Sequence, residues 1–275
     1  MIKPEGFKIE ADPWEVLHGY CERQQSVDAL VTRITWPNGS PVWELAFTGL
    51  GIETDGIRGL VPSSETGLPK DLMTRFVGQA VRVKIKGFQK DEGLVACSRN
   101  EAVAEAQGVL FEKVKEGQII DCVVRAVLPK SERKPPRLIV DVGGGVIAEV
   151  PRAKASYSAA PLGAQFIPGR QVKAKVLKAD PQTGTIGVSI RDAYPDPWEK
   201  DNLLRRGDIV AGKVCWIGEA NNGRKFVCVE IPPGLMGIAP YRIDNIRRGD
   251  HVNCTVKNFD PDKHKLRLDL RGRSI

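Results

Sequence analysis

Hydrophobic and polar positions alternate most clearly from Val81 to Lys86. Val81, Val83 and Ile85 fall on one face, and Arg82, Lys84 and Lys86 on the other. Period two predicts a half-buried strand. Lys90-Asp91-Glu92-Gly93 reads as a turn, and Leu94-Val95-Ala96-Cys97 as the returning strand of a hairpin. The pattern occurs three times. Short apolar runs end in Pro62, Pro151 and Pro240, spaced 89 residues apart. Hairpins open at Gly78, Gly169 and Gly249, and Ser98, Ser189 and Asp269 each follow 20 residues later. Apolar runs starting at Val27, Ile119 and Ile209 open the units, and VWELAF (from Val42), RLIVDV (Arg137) and KFVCVEI (Lys225) supply second strands.

Three matched landmarks define an internal repeat of about 70–90 residues, long enough to fold as a small domain. Each unit counts five strands, with a brief helix near Leu68–Phe76 in the first. Five short strands with glycine-rich turns predict an all-β chain of three tandem five-stranded closed Greek-key barrels, the OB-fold, joined by short helices. The units are assigned to 1–108, 109–195 and 196–275. Residues 1–13 read as a loose arm. Asp12-Pro13-Trp14-Glu15 has the look of a helix start, with Asp12 as N-cap and proline in the first turn. The same four residues recur at 196–199, ahead of the third unit, while 101–116 is Ala/Glu-rich and predicts a longer linker helix.

Composition narrows the function classes. No apolar run approaches a membrane span and the first residues lack a signal-peptide core, which predicts a cytoplasmic protein with no membrane partner. Six cysteines lie apart without a CxxC pair, away from the three histidines, and read as small buried hydrophobes in a reducing compartment. No catalytic set recurs in the units, so neither enzyme activity nor a cofactor nor a metal is expected. DVGGGV (141–146) lacks the spacing of a dinucleotide loop and reads as a bulge or tight turn. The net charge of +7 is unevenly divided. Residues 1–108 carry 12 Lys and Arg against 15 Asp and Glu, 109–195 carry 14 against 8, and 196–275 carry 15 against 11. The two basic units suit a polyanion partner.

The order strand, strand, GLVPSSE, then GQAVRVKIKGFQKDEGLVACSRNEA resembles the S-one RNA-binding domain, a family named after the largest protein of the bacterial small ribosomal subunit. The repeated DPWE is similar to that protein's interdomain connections. The resemblance covers about Trp14 to Arg273. It implies OB-folds that bind single-stranded RNA, mRNA among it, through strand-face aromatics and basic loops, without catalysis and in translation. It also implies a small-subunit partner, reached through residues 1–108. An RNA-decay or RNA-regulatory accessory, and a module that docks protein alone, are the alternatives.

Stacking bases and tracking a backbone need flat side chains and cations. In the first unit the candidates are Trp36, Trp43 and Phe88, with Arg82, Lys84 and Lys86 on the outward face of the fourth strand. In the second unit, which has no aromatic in its second strand, they are Lys130, Arg133, Lys134 and Arg137 of the first loop. In the third they are Trp216, Phe226 and Phe259, with Arg224 and Lys225. Each has a competing reading. Phe226 lies in an apolar strand, which favours the core. Trp36 and Trp216 end strands, where core and surface are balanced. Phe88 and Phe259 border a polar turn, which favours binding. The two tryptophans of DPWE read as barrel-packing groups.

Overall fold

The computed structural model describes residues 12–50, 54–132, 134–199, 204–232, 234–243 and 245–273. Most of the arm expected at 1–13 lies outside these residues. In the first unit, helix α1 (Pro13–Glu22) precedes β1 (Ser26–Thr35), β2 (Val42–Phe47) and β3 (Arg58–Pro62). A short helix, α2 (Lys70–Met73), then leads to the hairpin β4 (Ala80–Gln89) and β5 (Leu94–Ser98). Helix α3 (Arg99–Lys113) connects to the second unit: β6 (Ile119–Leu128), β7 (Arg137–Gly143), β8 (Val146–Pro151), α4 (Arg152–Ala155), α5 (Leu162–Gln165), β9 (Gln171–Asp180) and β10 (Thr185–Ser189). The third unit holds β11 (Ile209–Glu219), β12 (Lys225–Ile231), β13 (Leu235–Pro240), β14 (His251–Asp260) and β15 (Lys265–Arg273).

The strand order β1-β2-β3-β5-β4 closes the first barrel, and β11-β12-β13-β15-β14 closes the third. The second has the same order, but β8 and β10 lack the closing ladder, leaving a five-stranded sheet. That closing pairing is parallel and spans only three residue pairs in the first barrel and two in the third, so little separates the open and closed forms. Each first strand shifts register once, at Val31/Arg33, Val124/Ala126 and Val214/Trp216. Such bulges bend and twist a strand, which a small barrel needs.

The hairpin glycines show why the landmark recurs. Gly78, Gly169 and Gly249 have φ of +80°, +86° and +97°, and their N–H groups donate to the carbonyls of Val31, Val124 and Val214, each at 2.8 Å. A side chain there would strain the left-handed backbone that starts the fourth strand. The alternation predicted for 81–86 is present: Val81, Val83 and Ile85 join the core with Trp43, Leu45 and Phe47. Separate apolar clusters fill the second and third barrels.

The two DPWE strings fold differently. The first begins α1, where Asp12 Oδ1 accepts from Trp14 N at 2.9 Å. The second makes the same cap, Asp196 Oδ1 to Trp198 N at 2.9 Å, but continues as a turn through 199. Among the described residues the second junction therefore holds only the single 3-10 turn Arg191–Ala193 where a helix was expected. DVGGGV is the β7–β8 turn. Gly144 has φ +61°, and a Cβ on it would run into Ala106 of α3.

Candidate nucleic-acid interface

The outward residues of the first three strands of each barrel line up across the sheet, and the register makes them comparable. In the third barrel the central row is Trp216, Cys228, Ile238 and Arg267. In the second it is Ala126, Ile139 and Glu149. In the first it is Arg33, Glu44, Leu60 and Ala96.

These rows meet different surroundings. Trp216 is 47% exposed and Ile238 53%, and Cys228 is buried between them in the row. Two residue pairs along, on the same face, the Phe226 ring lies over Gly218, where a Cβ would strike it. Ile217, Gly218, Glu219, Lys225 and Tyr241 line a shallow cleft of about 300 Å³ beside this row. Arg224 and Lys225 are exposed at its edge, and Arg267 is exposed at its end. The result is an exposed apolar face with cations at its edges and the carboxylate Glu219 beside its cleft.

The second barrel's row is covered. Ala126 is 1% exposed and Ile139 fully buried, in a cluster with Leu128 and with Leu72 of α2 from the first barrel. Polar ties flank the apolar plug. Gln79 Nε2 donates to Arg125 O at 2.8 Å, and Arg125 Nη1 to Ala80 O at 3.0 Å. Arg125 also pairs with Asp141 Oδ2, at 2.7 and 3.2 Å from Nη2 and Nε. The second Asp141 oxygen accepts from Gly143 N and Gly145 N at 2.9 and 3.1 Å. Buried Arg99 of α3 donates to Thr66 O at 2.7 Å and to Gly145 O at 2.6 Å. Burial lowers its pKa to about 10, opposed by the charge of Asp141. Arg99 stays protonated at neutral pH and ties both barrels.

In the first barrel the row is charged. Glu44, almost buried, pairs with Arg33 at 2.8 Å and Arg58 at 3.6 Å. Two arginines thereby neutralise Glu44, and the row offers ion pairs where the third barrel offers an apolar platform.

Several candidates belong elsewhere. Trp43 is a core residue: it is fully buried, its Nε1 donates to Met73 O at 3.1 Å, and its ring lies 5.6 Å from Phe76. It offers no face to a base. Phe88 is covered by α1, with His18 at 3.9 Å and Trp14 at 6.2 Å between ring centroids. Phe259 is stacked at 5.6 Å by Trp198, which also stacks on His264. The tryptophan of each DPWE thus occupies the hairpin aromatic, as its packing reading predicts. The second barrel has Ala179 at that place, and α3 supplies the cover there: Gln107 Nε2 donates to Gly184 O at 2.9 Å.

The strand-four basic stripe is likewise neutralised. Arg82 pairs with Asp28 at 3.1 Å, Lys84 with Glu105 of α3 at 2.9 Å, and Lys86 with Glu101. In the second barrel's first loop Lys130 and Lys134 are exposed; Lys134 pairs with Glu149 at 3.1 Å. Arg137 Nε lies 3.3 Å from the same carboxylate but out of line for a hydrogen bond. Arg133 lies outside the described residues. Trp36 is exposed, just past the end of β1, away from the aligned rows.

Trp216 and Phe226 therefore share the outward face of the third barrel, with Arg224 and Lys225 exposed at the start of the strand that carries Phe226, and the remaining candidates do not join them. Sequence reasoning missed Ile238 and Arg267. The signal was present in LMGIAP of β13, which is apolar at both parities of a strand. All six cysteines are free thiols. Burial pushes Cys97, Cys122 and Cys228 up to about 12 and Cys254 to about 11, which leaves them unreactive at neutral pH. No group of His, Cys, Asp and Glu among the described residues is placed to hold a metal. No helix among them is long and apolar enough to cross a membrane.

The chain matches no protein-family model. It is 25% identical to small ribosomal subunit protein bS1 of Streptococcus pneumoniae, over 82% of this chain and 57% of that protein. It is 28% identical to bS1 of Staphylococcus saprophyticus, over 94% and 64%. A solved multidomain protein with nucleic acid binding domains from Streptococcus pneumoniae aligns at 15% identity and a TM-score of 0.24, over 92% of this chain and 75% of that one. The chain spans about three fifths of the length of the bS1 relatives it matches. The family resemblance carried by the repeated hairpin is thus met in the comparison: over most of its length this chain of three barrels is similar to small ribosomal subunit protein bS1.

Proposed function

We propose that the chain binds single-stranded RNA, mRNA among it, in translation on the small ribosomal subunit, and that it acts by binding alone in the cytoplasm. The units would be 1–108, 109–195 and 196–275, with the third making the main RNA contact. One observation carries this reading. Of three aligned outward rows, that of the third barrel is the one that is open, apolar and aromatic, with Trp216 and Ile238 exposed and Arg224, Lys225 and Arg267 around them. Aromatic platforms beside cations stack bases and track a backbone with little sequence preference. The bS1 relatives support the ribosomal setting.

A protein-docking role has its own support in the first barrel. That barrel already seats Leu72 on its neighbour and carries Glu44 in its outward row. Its place in the proposal is attachment to the subunit.

Titration of the full chain with a fluorescent single strand and with a duplex, at two salt concentrations, tests the reading. Trp216→Ala is expected to weaken single-strand binding about tenfold. Affinity should fall as salt rises. Equal affinity for duplex and single strand, or a Trp216→Ala variant that binds as well as the parent, overturns it.

A further inference from the structure

The second barrel lacks an open outward row, yet it carries another surface of the same chemistry at its junction with the third. A cleft of about 400 Å³ runs between the segment after β8, the start of β9 and the exit segment at 190–197. Tyr157, Phe166 and Tyr194 contribute aromatic rings to it, and Arg170 and Arg191 contribute cations. The Arg191 guanidinium lies 5.3 Å over the Tyr157 ring and the Arg170 guanidinium 5.8 Å over Phe166. Tyr194 is 51% exposed. None of the residues lining the cleft is acidic.

The two arginines differ. Arg191 is held by Asp192 at 2.9 Å, so its plane forms a fixed wall. Arg170 is exposed and donates to the carbonyl of Gln165, with no carboxylate partner among the described residues, which leaves its charge for a ligand. The cleft also joins the third barrel's face through the segment 156–160. Arg152 and Gln165 pin that segment by donating to Ala160 O, at 3.2 and 2.6 Å. Tyr157 packs on Gly234 of the third barrel. Two residues further on, Ala159 N donates to Glu230 Oε2 at 2.9 Å. That carboxylate lies 3.6 Å from Cys215 Sγ, the residue before Trp216. The segment that walls the cleft is thereby tied to the strand that carries Trp216.

We propose that the cleft holds a nucleotide of the single strand whose neighbouring bases lie on the third barrel, its base against Tyr194 and its phosphate on Arg170. The assignment rests on the RNA-binding reading above. It predicts a length dependence. Oligonucleotides of about six residues fill the third barrel's face, whereas strands of about twelve reach the cleft as well.

The test uses the full chain and four variants: Tyr194→Ala, Arg170→Ala, Arg170→Lys and Trp216→Ala. Tyr194→Ala should weaken the longer strand about fivefold to tenfold and leave the shorter one unchanged. Arg170→Ala should do the same and reduce the salt slope of the longer strand by about 0.7, the contribution of one phosphate contact on a single strand. Arg170→Lys should restore that slope. Trp216→Ala should weaken both lengths, which keeps the two readings apart. If both lengths respond to Trp216→Ala but neither responds to Tyr194→Ala or Arg170→Ala, the cleft is not part of the path while the third-barrel face stands. If adenosine monophosphate binds in a Tyr194-dependent way and the longer strand is indifferent to Tyr194, the cleft takes a free nucleotide and this assignment is wrong. If no strand binds the parent chain, both readings fall.

Discussion

The second and third barrels present the same row of positions to opposite fates. Ala126 and Ile139 lie under Leu72 of the preceding barrel, and Trp216 and Ile238 stand in the open. Each barrel nevertheless receives its predecessor in a similar way. The segment between the third and fourth strands of one leans on the first-strand bulge of the next. Gln79 reaches Arg125 at one junction, and Ala159 reaches Glu230 beside Cys215 at the other. What differs is depth. The first junction adds a leucine over a methyl-sized residue, whereas the second sets Tyr157 on Gly234 and Ala159 N on Glu230 and leaves the tryptophan exposed. An outward barrel face is therefore open to a ligand only where the neighbouring barrel leaves it uncovered.

The strongest way to break the first junction is through its buried ion pair. Asp141 holds Arg125 with one oxygen and the β7–β8 turn with the other, and both side chains are largely buried. Asp141→Ala leaves the guanidinium and two backbone N–H groups without their acceptor. We expect a loss of about 3–5 kcal/mol from the unfolding transition of the first two barrels. Urea denaturation, compared with the parent, measures it. A change below about 1 kcal/mol would show that the pair is solvated and the junction looser than described.

Leu72→Ala acts on the apolar part of the same junction. A leucine-to-alanine change in a packed site costs about 2–5 kcal/mol, and a value near 2–3 is expected because two barrels can close up partly over the gap. Amide hydrogen exchange separates the barrels: protection should drop in β6 and β7 and stay unchanged in β11 and β12. Equal loss of protection in the third barrel would mean that all three unfold together, and the contrast between the junctions would vanish.

The barrels were legible in the sequence because their determinants are local. Alternation placed Val81, Val83 and Ile85 inside, and the three hairpin glycines marked a backbone that tolerates no side chain. The site was legible only in part, for a physical reason. Whether an outward residue is free depends on what lies above it, and that residue comes from far along the chain. Nothing in the alternation of VRVKIKGF (81–88) tells that Glu101 and Glu105 of the next helix neutralise Lys86 and Lys84. Nor does it tell that α1 covers Phe88. Trp43 shows the other limit. Its strand, VWELAF, is apolar at so many positions that parity alone does not decide which face is buried. Trp216, at the end of its apolar run, read equally as core or surface, and its openness is decided by the neighbouring barrel; Ala126 was silent because a plug needs only a small residue beneath it.

The smallest expected effect sharpens the contrast at the acid end of the pH range. Asp192 accepts from Lys154 Nζ at 3.0 Å and Arg191 Nε at 2.9 Å, and its N–H donates to Ser189 Oγ at 3.1 Å. Burial by itself would raise this carboxyl, but hydrogen bonds involving Arg191, Lys154 and Ser189 outweigh it and hold the pKa at about 2, below the ordinary 3.8. A carboxyl whose folded pKa lies below its unfolded value stabilises the fold fully above the unfolded pKa. That contribution fades as pH falls from about 4 towards 2. The cluster joins α4 to the end of β10, so the fading belongs to the second barrel. Asp192→Asn should be less stable than the parent at pH 6, and the gap should be mostly gone near pH 2, where about half of the folded-state carboxyl is protonated and the unfolded one almost wholly so. Thermal unfolding followed at intervals between pH 6 and pH 2 reads the gap directly. Hydrogen exchange at pH 6 should place the lost protection in β10 and α4 and leave the third barrel as it was. A gap that persists undiminished at pH 2 would show that Asp192 works through shape and not through charge.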